Sequence, residues 1–194
     1  MSSKLVGILL AGGDARRFGG NKLAVPLSGG TPLGVCSAER LRAAVDELLV
    51  VIPEGNPATR ALFADRYATT VCRDARDGVG RSIAHGVSIC RDADAWLIAL
   101  ADMPFIDTAT ILAVAAALTS RSAIIRPRYR GRAGHPVGFG ATYGEELMDL
   151  QGDVGARSVV NAHRGMLRFI DTEDAGVVTD IDRPEDLEDP LAPA

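Results

Sequence analysis

Residues 9–22 read Leu-Leu-Ala-Gly-Gly-Asp-Ala-Arg-Arg-Phe-Gly-Gly-Asn-Lys, and an apolar run from Leu5 to Leu10 feeds straight into them. That run is short and nearly continuous, as expected for a strand buried on both faces of a mostly parallel sheet. The turn after it is rich in glycine and carries Arg16, Arg17 and Lys22. Gly12 and Gly13 can take positive φ and let another group approach the backbone closely. Bare N–H groups beside guanidinium and ammonium charges are what a polyphosphate needs. A surface loop with solvated charges explains any one of these residues; the whole set at the end of a first strand predicts a phosphate loop.

Two commoner phosphate loops are excluded by spacing. A Walker loop needs a second Gly five residues after its first, then Lys-Ser or Lys-Thr. Counting from Gly12 or Gly13 lands on Arg17 or Phe18, and Lys22 is followed by Leu23. The dinucleotide fingerprint G-x-G-x-x-G fails as well, because Gly78-Val79-Gly80 meets Ile83 where the third Gly should stand.

Moving outward, strands and helices alternate. Thr31-Pro32 opens a helix through Leu41 and Val45, and Leu48 to Ile52 is a second strand stopped by Pro53 and Gly55. A short helix (58–65), a weak strand (69–72) and a glycine turn at 77–82 follow, the turn opening a helix through Ile89. Trp96 to Leu100 is another apolar strand, Asp107 or Thr108 caps a helix through Leu118, and Ala123 to Arg126 returns as a strand. This rhythm predicts a three-layer α/β fold with right-handed crossovers and ligands beyond the carboxyl ends of the strands. The opening loop and Asp102 both fall at such ends. A carboxylate there, just before Met103-Pro104, suits a hard cation such as Mg²⁺ shared with substrate phosphates, or serves as a turn residue.

The bulk numbers bound the rest. At 194 residues the chain is expected to be one domain over 1–194, able to bury about 70% of its unfolded surface. Apolar content of 47%, charged content of 24% and a net charge of −4 fit an ordinary globule and argue against a nucleic-acid partner. No apolar run is long enough for a membrane span, and Met1-Ser2-Ser3-Lys4 leaves no room for a signal peptide. Three cysteines without a C-x-x-C pair suggest reduced, packed thiols and a cytoplasmic location.

Leu10-Ala11-Gly12-Gly13 with Arg17, Gly19 and Lys22 resembles the nucleotidyltransferase signature L-A-[AG]-G-x-S-x-R-M-G-x-x-K. Within those enzymes the resemblance is to the molybdenum-cofactor group, the MobA/MocA-like proteins. Ala15 stands where Ser is usual and Phe18 where Met is usual. Five further segments follow in the family's order and extend the likeness over nearly the whole chain. Leu100-Ala101-Asp102-Met103-Pro104 resembles the L-x-D-M-P metal motif, and Gly78 to Ser82 the G-M-x-x-S segment, which implies nucleoside contacts from Gly80 and Ser82. Gly131 to Pro136 matches the G-x-x-G-H-P segment of the cytidylyl branch, and Gly152 to Arg157 matches G-D-x-G-A-[RK]. These imply an acceptor side with His135, Asp153 and Arg157; taken alone, His135 reads as a turn histidine and Asp153 as a helix cap. Asp180-Ile181-Asp182-Arg183-Pro184-Glu185-Asp186-Leu187 resembles the closing D-I-[DN]-T-P-E-D-L, with Asp180 or Asp182 as the second metal carboxylate. Arg126, Arg128, Arg130 and Arg132 alternate on one face of extended chain, as an anionic-acceptor surface or a charged edge strand.

The resemblance implies a three-layer Rossmann-like sandwich with a mixed, mostly parallel sheet of the nucleotide-diphospho-sugar transferase type. It also implies Mg²⁺-dependent transfer of a nucleotide monophosphate from a nucleoside triphosphate to a molybdopterin-type acceptor. Lys22 and Arg17 would hold the triphosphate, with Leu10, Ala11, Gly12 and Gly13 lining it. Gly131 to Pro136 and Gly78 to Ser82 point to CTP, whereas the Ala11-Gly12-Gly13 spelling is that of the guanylyl branch. GTP-dependent or sugar-phosphate transfer is the alternative enzyme reading. An apo molybdoenzyme is a further expected partner, and a non-catalytic carrier of the pterin cofactor is the other class.

Overall fold

The structure is a computed structural model that describes residues 4–12, 18 and 20–187. Its centre is β1 (Leu5–Leu10), which pairs in parallel with β2 (Glu47–Pro53) on one side and β4 (Ala95–Leu100) on the other. β3 (Ala68–Cys72) extends the parallel part beyond β2. On the far side the direction reverses. β7 (Val137–Gly140) runs antiparallel between β4 and β5 (Ile124–Tyr129), and β5 also pairs with the short β6 (Arg132–Ala133) and with β8 (Leu167–Asp171). The eight strands form one sheet in the order β3-β2-β1-β4-β7-β5-β6, with β8 on β5.

Alternation along the buried strands sorts the core into two layers. Leu9, Val50 and Leu97 face α1 (Leu33–Arg42), α2 (Pro57–Ala64) and α4 (Thr108–Ala117). Val6, Ile8, Leu10, Val51 and Ile98 face α3 (Val79–Ile89), α5 (Gly144–Met148) and α6 (Arg157–Ala162). A fully buried aliphatic side chain in such a layer contributes about 1.5–3 kcal/mol, so the sandwich is held chiefly by these two clusters. Trp96 fills the second one and spends its indole N–H on the Cys90 carbonyl at 3.1 Å. The three-layer, mostly parallel architecture agrees with the sequence reading. All three cysteines are free, and among the described residues no helix is long and apolar enough to cross a membrane.

Local chemistry shifts several expected boundaries. α2 begins at Pro57, one residue earlier than expected, because Asn56 accepts from the Thr59 amide at 3.1 Å and Pro suits the first helical position. Pro32 rather than Thr31 sits at the start of α1, and neither it nor Asp107 makes a side-chain cap. α1 ends at Arg42 rather than reaching Val45. Asp153 does not cap α6 either; Ala156 occupies that position without a side-chain bond.

β1 is flanked by β2 on one side and β4 on the other, and the chain leaves it in opposite directions across the sheet. Ligands bind at such a reversal point, beyond the carboxyl ends of the strands. Gly12 and Asp102 lie there, two residues past Leu10 and Leu100 respectively.

Candidate nucleotide site

Asp102 is positioned by its neighbours. Ala101 donates its N–H to Leu10 O at 3.1 Å, tying the turn after β4 to the end of β1. The buried Ser37 hydroxyl, on α1, donates to Ala101 O at 2.8 Å, and Ile181 N–H donates to Asp102 O at 2.9 Å. The carboxylate itself meets Lys22, whose Nζ donates to Asp102 Oδ2 at 2.8 Å, to Asp182 Oδ1 at 3.0 Å and to Ile181 O at 2.8 Å. Lys22 lies in a single 3₁₀ turn over Lys22–Ala24 and is almost fully buried. Lys22 and the post-β4 carboxylate therefore converge on one point, with the 181–182 segment as a third wall.

The electrostatics of this junction are taut. Burial alone would lower the Lys22 constant, but the charges and hydrogen bonds of Asp102 and Asp182 outweigh it and the net direction is upward, so the ammonium is held. Burial raises Asp102 above the ordinary carboxylate range; Lys22 opposes the rise and the charge of Asp180 adds to it. Asp180 is exposed, whereas the Asp182 side chain is about half-exposed at 46%. Asp186 fixes that loop by accepting from the amides of Asp182 and Arg183 at 2.8 and 2.7 Å.

Among the described residues, no three His, Cys, Asp or Glu groups gather into a ready-made metal cage. Two carboxylates do reach a single cation, the Lys22 ammonium. A donor set of one or two carboxylates, completed by phosphate oxygens and water, is what Mg²⁺ ordinarily takes. Asp102 and Asp182 thus fit a hard divalent ion when substrate phosphates share it.

The other expected nucleotide residues are placed as follows. Leu10 is buried at the end of β1 and lines a cavity, and Gly12 has its Cα side against the Pro53 ring. Ala11 donates its N–H to Val51 O at 2.9 Å, so that amide is committed to the sheet rather than to a phosphate. Gly13 and Arg17 lie outside the described residues. Ser82 is buried in α3 beside the Cys72 thiol. Gly78, at φ 115°, and Gly80 pack directly on the backbone of 151–153; a Cβ on Gly80 would lie 2.9 Å from Gln151 O. The two glycine segments that sequence could only place in order are thereby joined backbone to backbone.

On the acceptor side, His135 and Arg157 face one cavity, joined there by Arg126, while Asp153 stays exposed and lines no part of it. His135 N–H donates to Val177 O at 2.9 Å. Burial, with the nearby Arg126 charge, pushes the imidazole down to about 4, so it is neutral at physiological pH, and its buried Nδ1 has no partner among the described residues. The four alternating arginines diverge. Arg128 makes a bidentate pair with Asp171 at 2.6 and 2.9 Å and lies over the Phe169 ring, which is edge-strand chemistry. Arg130 sits in the β5–β6 turn at φ 46°, and only Arg126 turns inward. Sequence reasoning missed Ser37 and the Ile181 carbonyl. A helical serine facing the sheet carried the only signal, and a backbone acceptor carried none.

Comparison with known proteins agrees with this arrangement. Residues 7–166 match the sequence family described as the MobA-like NTP transferase domain. The purine catabolism protein PucB of Bacillus subtilis (strain 168) is 31% identical over 198 residues, covering 96% of each chain. A molybdenum cofactor guanylyltransferase of Cereibacter sphaeroides is 34% identical over 108 residues, 53% of this chain and 52% of that one. The crystal structure of Rv0371c from Mycobacterium tuberculosis H37Rv superimposes at a TM-score of 0.83 with 26% identity over the full length of both chains. Its manganese complex matches at 0.71 and 25% identity over 89% of each, so a divalent metal accompanies a neighbour of this fold. With the strand-end carboxylate and the sheet order in their places, the chain belongs to the MobA-like NTP transferase family.

Proposed function

We propose that this protein transfers a nucleotide monophosphate from a nucleoside triphosphate, CTP by preference, to the terminal phosphate of a molybdopterin-type acceptor. Pyrophosphate is the second product. The observation that carries the reading is the convergence of Lys22 with Asp102 and Asp182, at 2.8 and 3.0 Å, beyond the ends of β1 and β4.

An acceptor phosphate oxygen attacks the α-phosphorus in line; the new P–O bond forms as the bond to pyrophosphate breaks, and the electron pair leaves with the pyrophosphate. No side chain becomes covalently attached. Catalysis then rests on positioning and on neutralising charge. Lys22 holds the triphosphate, aided by Arg17, and Asp102 with Asp182 would hold Mg²⁺. When bound, Mg²⁺ supplies positive charge to the phosphate oxygens and the leaving group. Lys22, already tied to both carboxylates, orients them and trades part of that contact for phosphate. Gly80 and the start of α3 meet the nucleoside, and His135 and Arg157, which share a cavity, serve the acceptor.

The G-x-x-G-H-P match at Gly131 to Pro136 supports CTP. The Ala11-Gly12-Gly13 spelling and the guanylyltransferase relative support GTP as the second reading. Pyrophosphate release with CTP, GTP, ATP and UTP, each with molybdopterin and Mg²⁺, tests both. Turnover should be fastest with CTP. Silence with every nucleotide, while molybdopterin still binds, would overturn the enzyme reading in favour of a cofactor carrier. The expected setting is the cytoplasm.

A further inference from the structure

Asp102 stands on a turn whose backbone is pinned from several sides. Ala101 N–H donates to Leu10 O at 3.1 Å, Met103 N–H to Leu100 O at 3.4 Å, and Ile181 N–H to Asp102 O at 2.9 Å. A further tie comes from a side chain: the Ser37 hydroxyl donates to Ala101 O at 2.8 Å. Ser37 is 5% exposed and Ala101 1%, so neither group has bulk water to fall back on. A hydroxyl has one proton to give. The Leu33 carbonyl of the same helix lies farther off, at 3.4 Å, so Ala101 is the nearer acceptor. One turn along α1, Arg40 donates to Ile106 O at 2.7 Å. α1 therefore grips the connection between β4 and α4 near both ends, and Ser37 holds the end that carries Asp102.

We propose that Ser37 is a positioning residue for the transfer reaction: by holding the peptide plane between Ala101 and Asp102, it aims the Asp102 carboxylate at the divalent metal. This rests on the transfer reading above and deepens it. A peptide unit is planar, so fixing the Ala101 oxygen fixes ψ of Ala101 and φ of Asp102 together. Those two angles set the direction in which the Asp102 side chain leaves the backbone. Without the hydroxyl, a buried carbonyl loses its donor, and the plane gains by turning toward another. Lys22 does not replace this hold. Its ammonium is shared among Asp102, Asp182 and the Ile181 carbonyl, so it follows the carboxylates instead of setting one of them. Partners that orient a metal ligand commonly carry about 10- to 100-fold in metal affinity or activity.

Calorimetric titration of the full chain with CTP and with GTP, each with and without Mg²⁺ and without acceptor, tests the assignment with no turnover involved. The readout is the factor by which Mg²⁺ tightens nucleotide binding. Ser37→Ala should shrink that factor about tenfold while leaving metal-free nucleotide affinity as it is. Ser37→Cys fills nearly the same space with a weaker donor, so it keeps the packing and should shrink the factor by less. Thr110→Val removes another buried hydroxyl, one that meets Thr172 on the far part of the sheet, and should leave the factor unchanged. A wild-type factor in both Ser37 variants, or an equal loss in Thr110→Val, would overturn the proposal. Asp102→Ala separates the two levels. A factor that falls in Asp102→Ala but not in Ser37→Ala sinks the Ser37 assignment alone. No gain from Mg²⁺ with either nucleotide in the wild type removes the metal from Asp102 and the proposal with it. A gain that depends on Ser37, in a chain that transfers to no acceptor, sinks the transfer reading alone. A serine that merely supported the fold would lower thermal stability and leave the Mg²⁺ factor where it was.

Discussion

Two polar regions flank the carboxyl ends of β1 and β4, and they are built on opposite principles. Around Lys22 the ammonium meets two counter-charges within 3.0 Å, Asp102 and Asp182. In the cavity on the α3 side, Arg126 and Arg157 stand among aliphatic side chains, and none of the described carboxylates lines it. A compensated cluster is stable as it stands and can exchange one partner for another. A half-buried guanidinium beside an exposed one, above apolar walls, instead leaves its charge open to solvent. The first suits a phosphate and metal that trade contacts; the second is an apolar hollow edged by cations.

The contrast can be broken most forcefully at Asp102. Replacing it by Ala removes the carboxylate yet leaves Lys22 with Asp182 and the Ile181 carbonyl, so the fold should persist. Turnover should fall by about 10³-fold, the scale seen when one preorganised electrostatic group is lost. Steady-state pyrophosphate release and circular dichroism check both halves. Near wild-type rates would remove Asp102 from the machinery.

Next in size is an effect on stability from the cavity side of the sheet. His135 is lowered from 6.5 to about 4 in the folded state, so the unfolded chain binds the proton more readily between those values. The sign follows: this contribution is fully present above pH 6.5 and is lost as pH falls toward 4. At about 1.4 kcal/mol per unit it amounts to roughly 3 kcal/mol. Denaturant unfolding at pH 7 and pH 4 should show a smaller acid loss in His135→Gln than in the wild type. Equal losses in the two proteins would place the acid sensitivity elsewhere.

Lys22→Ala should raise the KM for the nucleotide and slow the chemical step, for about 10² in kcat/KM, because both carboxylates lose their organising cation. Unchanged kinetics would count against the opening loop as the phosphate cradle. The finest distinction lies between Asp182, which shares Lys22, and the exposed Asp180, which acts on Asp102 only through its charge. Asp182→Asn should raise the Mg²⁺ requirement about tenfold more than Asp180→Asn does. The reverse order in a metal titration would exchange their roles.

Much of this was legible in the sequence because it resides in local pattern. A buried strand running into glycine and cations announces itself, and so does a carboxylate two residues past an apolar strand. The antiparallel β7 was not legible. It is four residues long, Val-Gly-Phe-Gly, fully buried and without alternation, and its place between β4 and β5 depends on pairing with segments remote in sequence. β8 was missed because it lies at an edge with three of its five residues exposed. The arginine repeat shows the limit most clearly. Alternation put Arg126 and Arg128 on one face, but only the fold reveals that the first meets a cavity and the second meets Asp171. Asp102 and Lys22 were each readable alone; that Ser37 and the Ile181 carbonyl complete their junction depends on packing across the sheet.

The central claim is that the opening loop and the strand-end carboxylate serve one triphosphate. Calorimetric affinity for Mg²⁺·CTP in the wild type, Lys22→Ala, Asp102→Ala and the double variant tests it most directly. We predict that each single substitution weakens binding at least tenfold and that the double variant loses little more, since both groups act on the same ligand. Undiminished affinity in either single variant, or losses that simply add, would contradict it.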